Sequence, residues 1–301
     1  MGDPLLRWLS GAAGAIAVAV IVAIAYVVFH RSGAAFSQFG FGFITASDWN
    51  PVANSFGAAS FIYGTAVSAG VALVVATPLA IAIALYLTEL APRRIRRPVA
   101  TLVDLLAAIP SVILGLWGII VLGPAMKNTI EPALHSVLGW IPLFGGDTSA
   151  LGLLPAAIIL TIMALPIVTS VTREVFETVP AELKEGAYAL GATRWEMMKT
   201  VVLPVSRPGI VGAVMLGLGR AIGEAIAVTQ VIGAGLGIHA SLFGPADTLA
   251  SRIASQFQGA TSDLLTSSLF YLGAILLALA LAVNIAARLI IQRLTVKEAS
   301  R

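Results

Sequence analysis

The chain has 301 residues, 58% apolar and 11% charged, with a mean hydropathy of +0.95 and a formal net charge of +3. Soluble domains carry roughly a quarter charged residues, so its 18 basic and 15 acidic side chains are too few to cover a water-facing surface, and most of that surface must face lipid. This excludes the large soluble enzyme classes and disordered chains, and the lack of cysteine excludes disulfide scaffolds, thiolate metal sites and cysteine nucleophiles.

About 20 mostly apolar residues are needed to cross the hydrocarbon core, and six segments meet that requirement: 9–29, 61–87, 99–122, 151–171, 208–232 and 264–291. The first opens the chain behind Arg7, but its apolar run exceeds the roughly 7–15 residues of a signal-peptide core, so it reads as a retained anchor. The connection 30–60 follows, with Trp49 suited to a membrane interface. A short loop bounded by prolines, Ala91-Pro-Arg-Arg-Ile-Arg-Arg-Pro98, leads into the third segment, which reads as a helix kinked at Pro110 and packed through Gly115 and Gly118. The connections 123–150, with Trp140, and 233–263 are rich in Gly, Pro and Ser, while 172–207 is long and charged.

Lysine and arginine concentrate in cytoplasmic loops. With the N-terminus inside, fourteen of the 18 basic residues fall on that side, Arg31, Lys127 and Arg252 fall outside, and Arg220 lies within a span. Both termini are therefore expected in the cytoplasm, and the basic pI of 9.4 reads as membrane orientation without a nucleic-acid partner. The expected organisation is an N-terminal helix and external loop (1–60), a membrane core (61–293) carrying the loop 172–207, and a tail (294–301).

Little here points to chemistry on the chain itself. His30, His135 and His239 sit in or beside outside connections without metal-ligand spacing, and neither a zinc-hydrolase helix nor a nucleophile elbow occurs. No Gly-Lys dipeptide exists, so the phosphate-cradling nucleotide loop is missing. No catalytic residue, metal or cofactor is assigned to this chain; if ATP powers transport, hydrolysis belongs to another polypeptide.

Within 172–207, Pro180 suits a first helical turn, and Glu182 and Glu185 complement a helix dipole. The helix runs to Leu190, with Gly191 as its left-handed stop. A second short helix runs from Arg194 to about Val202 and ends at Pro204. Ala187 and Ala189 give this helix–turn–helix a surface of small residues. It can be a knuckle for a partner's groove or an amphipathic pair on the membrane surface.

In the fifth segment, Arg220 lies twelve residues beyond Pro208, about 18 Å along a helix at ~1.5 Å per residue, near mid-membrane. Glu224 follows at helical spacing and can pair with it. Gly209, Ala213, Gly217, Ala221 and Ala225 let neighbours approach closely, with Gly219 and Gly223 on the other flank. The pair is either an ion pair locking helix packing or a stop on an anion pathway, where the guanidinium grips a tetrahedral oxyanion. Asp104 is a lesser candidate, expected to face Arg96 or Arg97.

The spacing Glu185-Gly186-Ala187, three residues, Gly191, nine residues, Val201-x-Leu203-Pro204 resembles the EAA motif of ATP-binding-cassette importer permeases, with Gly186 and Val201 as departures. Tyr86-Leu-Thr-Glu-Leu-Ala-Pro92, Ala107-Ala-Ile-Pro-Ser-Val-Ile-Leu-Gly-Leu-Trp-Gly118, Gly217-Leu-Gly-Arg-Ala-Ile-Gly-Glu-Ala-Ile-Ala-Val228 and Phe39-Gly-Phe-Gly-Phe-Ile-Thr45 are similar to the PstC type of phosphate permease. The resemblance implies an all-α, six-span permease of the MetI-like type in a bacterial inner membrane. It also implies a second PstA-like permease, a PstB-like ATPase dimer that holds ATP and Mg, a PstS-like phosphate-binding protein outside, and Arg220 with Glu224 in the phosphate path. The rivals are a permease for molybdate or sulfate, the sister subunit PstA, an ATP-independent transporter or channel, and an integral membrane enzyme.

Overall fold

The computed structural model describes residues 2–299, so Ser300 and Arg301 of the expected tail lie outside the described residues. Among the described residues, six helices are long and apolar enough to cross a membrane: Leu6–Arg31, Ala59–Leu90, Ser111–Leu138, Leu153–Glu177, Arg194–Gly223 and Asp263–Arg293, taken below as spans one to six. Span four is the axis of the bundle; 61% of its most apolar window is buried, against none of span one's. Its buried face, from Leu153 through Ile159, Leu160, Met163 and Val168 to Phe176, packs on spans two and five. Span one rests chiefly on span six, where Val28 meets the backbone at Gly273 and Ser267 Oγ donates to Arg31 O (2.9 Å).

Spans four and five approach closely because one of them lacks side chains at the contact. A Cβ at Gly209 would lie 2.5 Å from Val175 Cγ1, and one at Gly217 would lie 2.6 Å from Val168 Cγ2. Ala213 is fully buried between these glycines and Ala221 nearly so. Gly219 and Gly223, expected to let a neighbour approach on the other flank, have nothing within 4 Å and face the open side.

Two spans depart from the expected boundaries. The third apolar segment is divided, not kinked: a helix Arg93–Ala108 ends at Ile109 and Pro110, both extended (ψ 124° and 136°), and a second begins at Ser111. The residue before a proline is driven out of the helical region, which accounts for the break. Span three therefore lies at Ser111–Leu138 instead of 99–122, includes several wide i→i+5 turns, and takes His135 out of the loop where it was expected. Pro98 falls inside the helix Arg93–Ala108 and no longer closes a loop. Asp104 on that helix is exposed and makes no ion pair with Arg96 or Arg97; Arg96 donates instead to Thr88 O.

Span five runs unbroken from Arg194 to Gly223 where a helix from Pro208 to Ile232 was expected. Pro204 does not end the preceding helix, because a wide turn over Met198–Val202 comes before it. Such a turn relieves the clash between a proline ring and the carbonyl four residues earlier. At the other end, Glu224 turns extended (ψ 116°) and a separate short helix, Ile226–Val231, follows.

One end of the bundle gathers residues 32–58, 139–152 and 232–262; the other gathers 86–98 and 178–200. At the first end, a two-residue antiparallel ribbon, β1 (Trp49–Asn50) with β2 (Ser55–Phe56), closes over an aromatic cluster. Trp49, expected at the membrane interface, is 5% exposed and packs edge-on against Phe43, Phe56 and Phe61, while Trp140 is 80% exposed.

Two glycines of span two separate the tight contacts from the open ones. A Cβ at Gly64 would sit 2.0 Å from Asp247 O, whereas one at Gly70 meets nothing within 4 Å. Gly64→Ala is expected to destabilise the chain by about 1–3 kcal/mol through overpacking. Gly70→Ala should be neutral or slightly stabilising, because alanine is the better helix former. Unfolding midpoints in detergent check both.

Candidate functional site

The loop predicted as a docking knuckle forms two helical pieces joined by a tight corner. The first helix, Ala181–Ala189, ends where predicted, with Gly191 at φ +85°. Gly191 N–H donates to Tyr188 O (2.9 Å) and Ala192 N–H donates to Ala187 O (3.0 Å), the paired bonds that close a helix through a left-handed residue. Thr193 then caps the next helix. Its Oγ1 accepts from Glu196 N–H (3.3 Å), and the Glu196 carboxylate accepts from Thr193 N–H (2.8 Å). That cap was not singled out in the sequence, although Thr193-x-x-Glu196 was its readable signature.

Three motif positions converge on one apolar cluster. Ala187, Val201 and Leu203 pack against Ala84, Leu85, Phe176, Val179, Met197, Met198 and Val202, so the corner is fixed to spans two and four. Lys184 Nζ lies 2.6 Å from Glu89 Oε1, tying the first helix to the end of span two. Glu185, Gly186 and Gly191 remain exposed, and Gly186 has open space where the motif has alanine, so this departure creates no packing defect. Ala189 is exposed and Ala187 half-buried, so the surface of the knuckle comes instead from Leu183, Tyr188, Leu190 and Trp195, between 43% and 91% exposed.

The structure does not bring Arg220 and Glu224 together as a helical ion pair. Span five stops at Gly223, so the four-residue spacing no longer places both side chains on one helix face. Glu224 Oε1 accepts from Ala227 N–H (3.3 Å), and among the described residues only Lys184–Glu89 and Arg252–Asp247 form ion pairs. Arg220 is exposed at the edge of the glycine contact, three residues past Gly217 and beside Leu216, Gly219 and Gly223. A guanidinium without a carboxylate partner is a candidate anion contact and is not a lock between helices.

The Ile226–Val231 helix beyond Glu224 lies on span three. A Cβ at Gly115 would meet Ala227 Cα at 3.0 Å and one at Gly118 would meet Val231 Cγ1 at 2.5 Å, so both glycines pack as expected, against this short helix.

Three buried ionisable groups were not marked by the sequence: Glu131, Asp247 and Arg252. Glu131 is fully buried, with Oε2 accepting from Ser149 N–H (2.7 Å) and Oε1 unpartnered; its polar neighbours in the sequence had the look of a loop. Arg252, counted among the outside loop residues, is 7% exposed and lies 2.8 Å from Asp247 Oδ2. Burial pushes the Asp247 carboxyl above its usual range although Arg252 pulls it down, and burial lowers Arg252. No sequence period marks these two, because nothing local requires a loop to fold inward.

The family model for the inner membrane component of binding-protein-dependent transport systems matches residues 76–296. The chain is 46% identical over 296 residues to the phosphate transport system permease protein PstC of Mesorhizobium japonicum, covering 97% of this chain and 90% of that protein. It is 47% identical over 267 residues to PstC of Pasteurella multocida (87% and 83% covered) and 41% identical over 297 residues to PstC 2 of Mycobacterium tuberculosis (96% and 91% covered). A bacterial alginate ABC transporter, crystallised with an alginate-bound periplasmic protein, shares the fold at a TM-score of 0.62 and 20% identity, over 94% of this chain and 95% of that one. An inward-facing MetNI methionine ABC transporter does so at 0.58 and 18%, over 78% and 94%. The chain belongs to the binding-protein-dependent transport family and, within it, to the PstC permeases. It is an all-α, multi-pass ABC importer permease, a transport component rather than a catalytic one.

The absence of native cysteine makes the open face directly testable. In the purified chain in detergent, Arg220→Cys and Gly223→Cys are expected to react with N-ethylmaleimide at least about tenfold faster than Ala221→Cys, because a thiol reacts in proportion to its access. Equal rates would contradict the exposed placement of Arg220.

Proposed function

We propose that this chain is the membrane-spanning subunit of an ATP-driven importer of inorganic phosphate, set in a bacterial inner membrane with both termini in the cytoplasm. A PstA-like permease completes the path, a PstB-like ATPase dimer binds ATP and Mg, and a PstS-like protein delivers phosphate from outside. The observation that carries this reading is Arg220, exposed on span five where the helix breaks and free of any carboxylate within ion-pair distance among the described residues. Phosphate is a tetrahedral oxyanion that a guanidinium fork holds bidentately. A side chain on the open face of one permease forms half a site, and a second permease supplies the other wall. A conduit must also release its passenger, and an arginine partly open to solvent binds more weakly than an enclosed one.

The coupling loop fits the same reading. Because span five is continuous from Arg194 to Gly223, a displacement at the exposed corner is carried along one helix to Arg220, about 40 Å away at ~1.5 Å per residue. ATPase closure on Leu183, Tyr188 and Leu190 would thus move the anion site without a flexible linker. An ATP-independent transporter has no use for such a corner, and the names of the relatives favour phosphate and PstC over molybdate, sulfate or PstA.

In vesicles holding the complete complex, Arg220→Gln is expected to cut phosphate uptake by roughly 10- to 150-fold, equivalent to a charged hydrogen bond of about 1.5–3 kcal/mol, with assembly unchanged. Uptake near the native rate would reject the path role. Gly191→Pro, which forces φ from +85° to about −65°, is expected to abolish co-purification of the ATPase or its coupling to uptake. Retained ATPase binding with coupled uptake would reject the docking role.

A further inference from the structure

The helix Arg93–Ala108, between spans two and three, belongs neither to the anion path nor to the docking corner. It begins three residues past Leu90, where span two ends, and stops at the extended Ile109–Pro110. At ~1.5 Å per residue its 16 residues reach about 24 Å, short of a ~30 Å hydrocarbon core. The 28 residues of span three reach about 42 Å and cross that core unaided. The helix therefore starts at the membrane surface and is not itself a crossing. Arg96 fixes its place by donating to Thr88 O, beside Glu89, the residue that holds Lys184 of the corner.

Three faces run along this helix. Val99, Ala100 and Val103 turn inward; Val103 is buried and the other two are half-buried. Ile95, Leu102, Leu105 and Leu106 recur at helical spacing as one apolar stripe, and all four are exposed, Leu102 by 61%. Arg94 and Arg97 lie on the third face with Thr101 and Asp104, and all four of these are exposed too. Asp104 sits seven residues beyond Arg97, about 10 Å along the axis, and no ion pair forms on this helix among the described residues. An exposed leucine stripe beside exposed arginines is the pattern of a helix lying in the interface plane, its apolar face in the acyl boundary and its cations drawn to anionic headgroups.

We propose that the Arg93–Ala108 helix is a binding surface for anionic phospholipid, with Arg94 and Arg97 on headgroup phosphates and Ile95, Leu102, Leu105 and Leu106 among acyl chains. A water-soluble partner seated on the arginines would leave the leucine stripe uncovered. A neighbouring membrane helix seated on the leucines would leave both guanidinium groups without a counter-charge. An anionic phospholipid supplies the acid and the apolar chain in one molecule. A zwitterionic lipid carries its own cation beside the phosphate, so phosphatidylglycerol is favoured over phosphatidylcholine. The surface is the same whichever side of the membrane this end faces, and it stands apart from the anion path at Arg220.

Because the chain has no cysteine, a single Leu102→Cys, labelled with bimane on the purified protein, reports which lipids lie beside the stripe. The labelled chain is reconstituted in phosphatidylcholine vesicles, alone and assembled with its partner subunits, with a small fraction of either brominated phosphatidylglycerol or brominated phosphatidylcholine. Brominated phosphatidylglycerol is expected to quench as strongly as an about tenfold larger fraction of brominated phosphatidylcholine, given two arginines at the leaflet surface. Arg94→Gln combined with Arg97→Gln is expected to bring the two lipids level. Salt at about 1 M, where the Debye length is about 3 Å, should do the same with both arginines in place, an arm that needs no change at either position. Equal quenching by the two lipids at low salt with both arginines present would overturn the proposal. So would quenching by neither, the result of a partner subunit seated on the helix, or a preference that survives both the substitutions and the salt.

Discussion

The close backbone contact between spans four and five is the constraint on which the rest of the molecule depends. At Gly209 and Gly217 any side chain would collide with Val175 and Val168, so the two helices meet at the distance only glycine permits. In lipid, apolar surface supplies no drive to associate, and packing of this kind is what holds helices together. The contact also orients span five: with its small residues turned inward, Leu216, Gly219 and Gly223 are left on the exposed side, and Arg220, three residues past Gly217, lies exposed at the margin between the two.

Two arginines near the same end of span five show how burial decides chemical availability. Arg252 is enclosed by Asp247, Phe61 and Trp49, and its charge is committed to holding those elements together. Arg220 is exposed and forms no ion pair among the described residues, so its charge is not committed to holding elements of the chain together. A buried unpaired arginine would be prohibitively costly, and an exposed paired one would contribute little. The division of roles follows from where each side chain ends up.

The opposite end is built for rigidity under an exposed apolar surface. A left-handed glycine closure, a reciprocal Thr193–Glu196 cap and the Lys184–Glu89 pair fix the corner, while Val202, Met197 and Met198 anchor it from below. A wide turn at Met198–Val202 absorbs Pro204 without ending the helix. The corner is therefore joined to Arg220 by one continuous helix, Arg194–Gly223, where two helices hinged at a proline were expected.

The sequence by itself determined that this chain lives in lipid, that it crosses about six times, that residues 185–204 form a capped corner, and that the fifth span packs through small residues. Each of these is written in local composition or spacing: apolar runs, Gly191 where a left-handed residue is needed, alanines and glycines every fourth position. The tertiary structure decided the rest. It divided the third span at Ile109–Pro110, carried the fifth helix through Pro204 and stopped it at Gly223, and separated Glu224 from Arg220. It also drew Asp247, Arg252 and Trp49 out of loops into the interior. The physical reason is that a helix end or a buried charge in a loop depends on which distant backbone group or ring arrives beside it, and no spacing along the chain records that arrival.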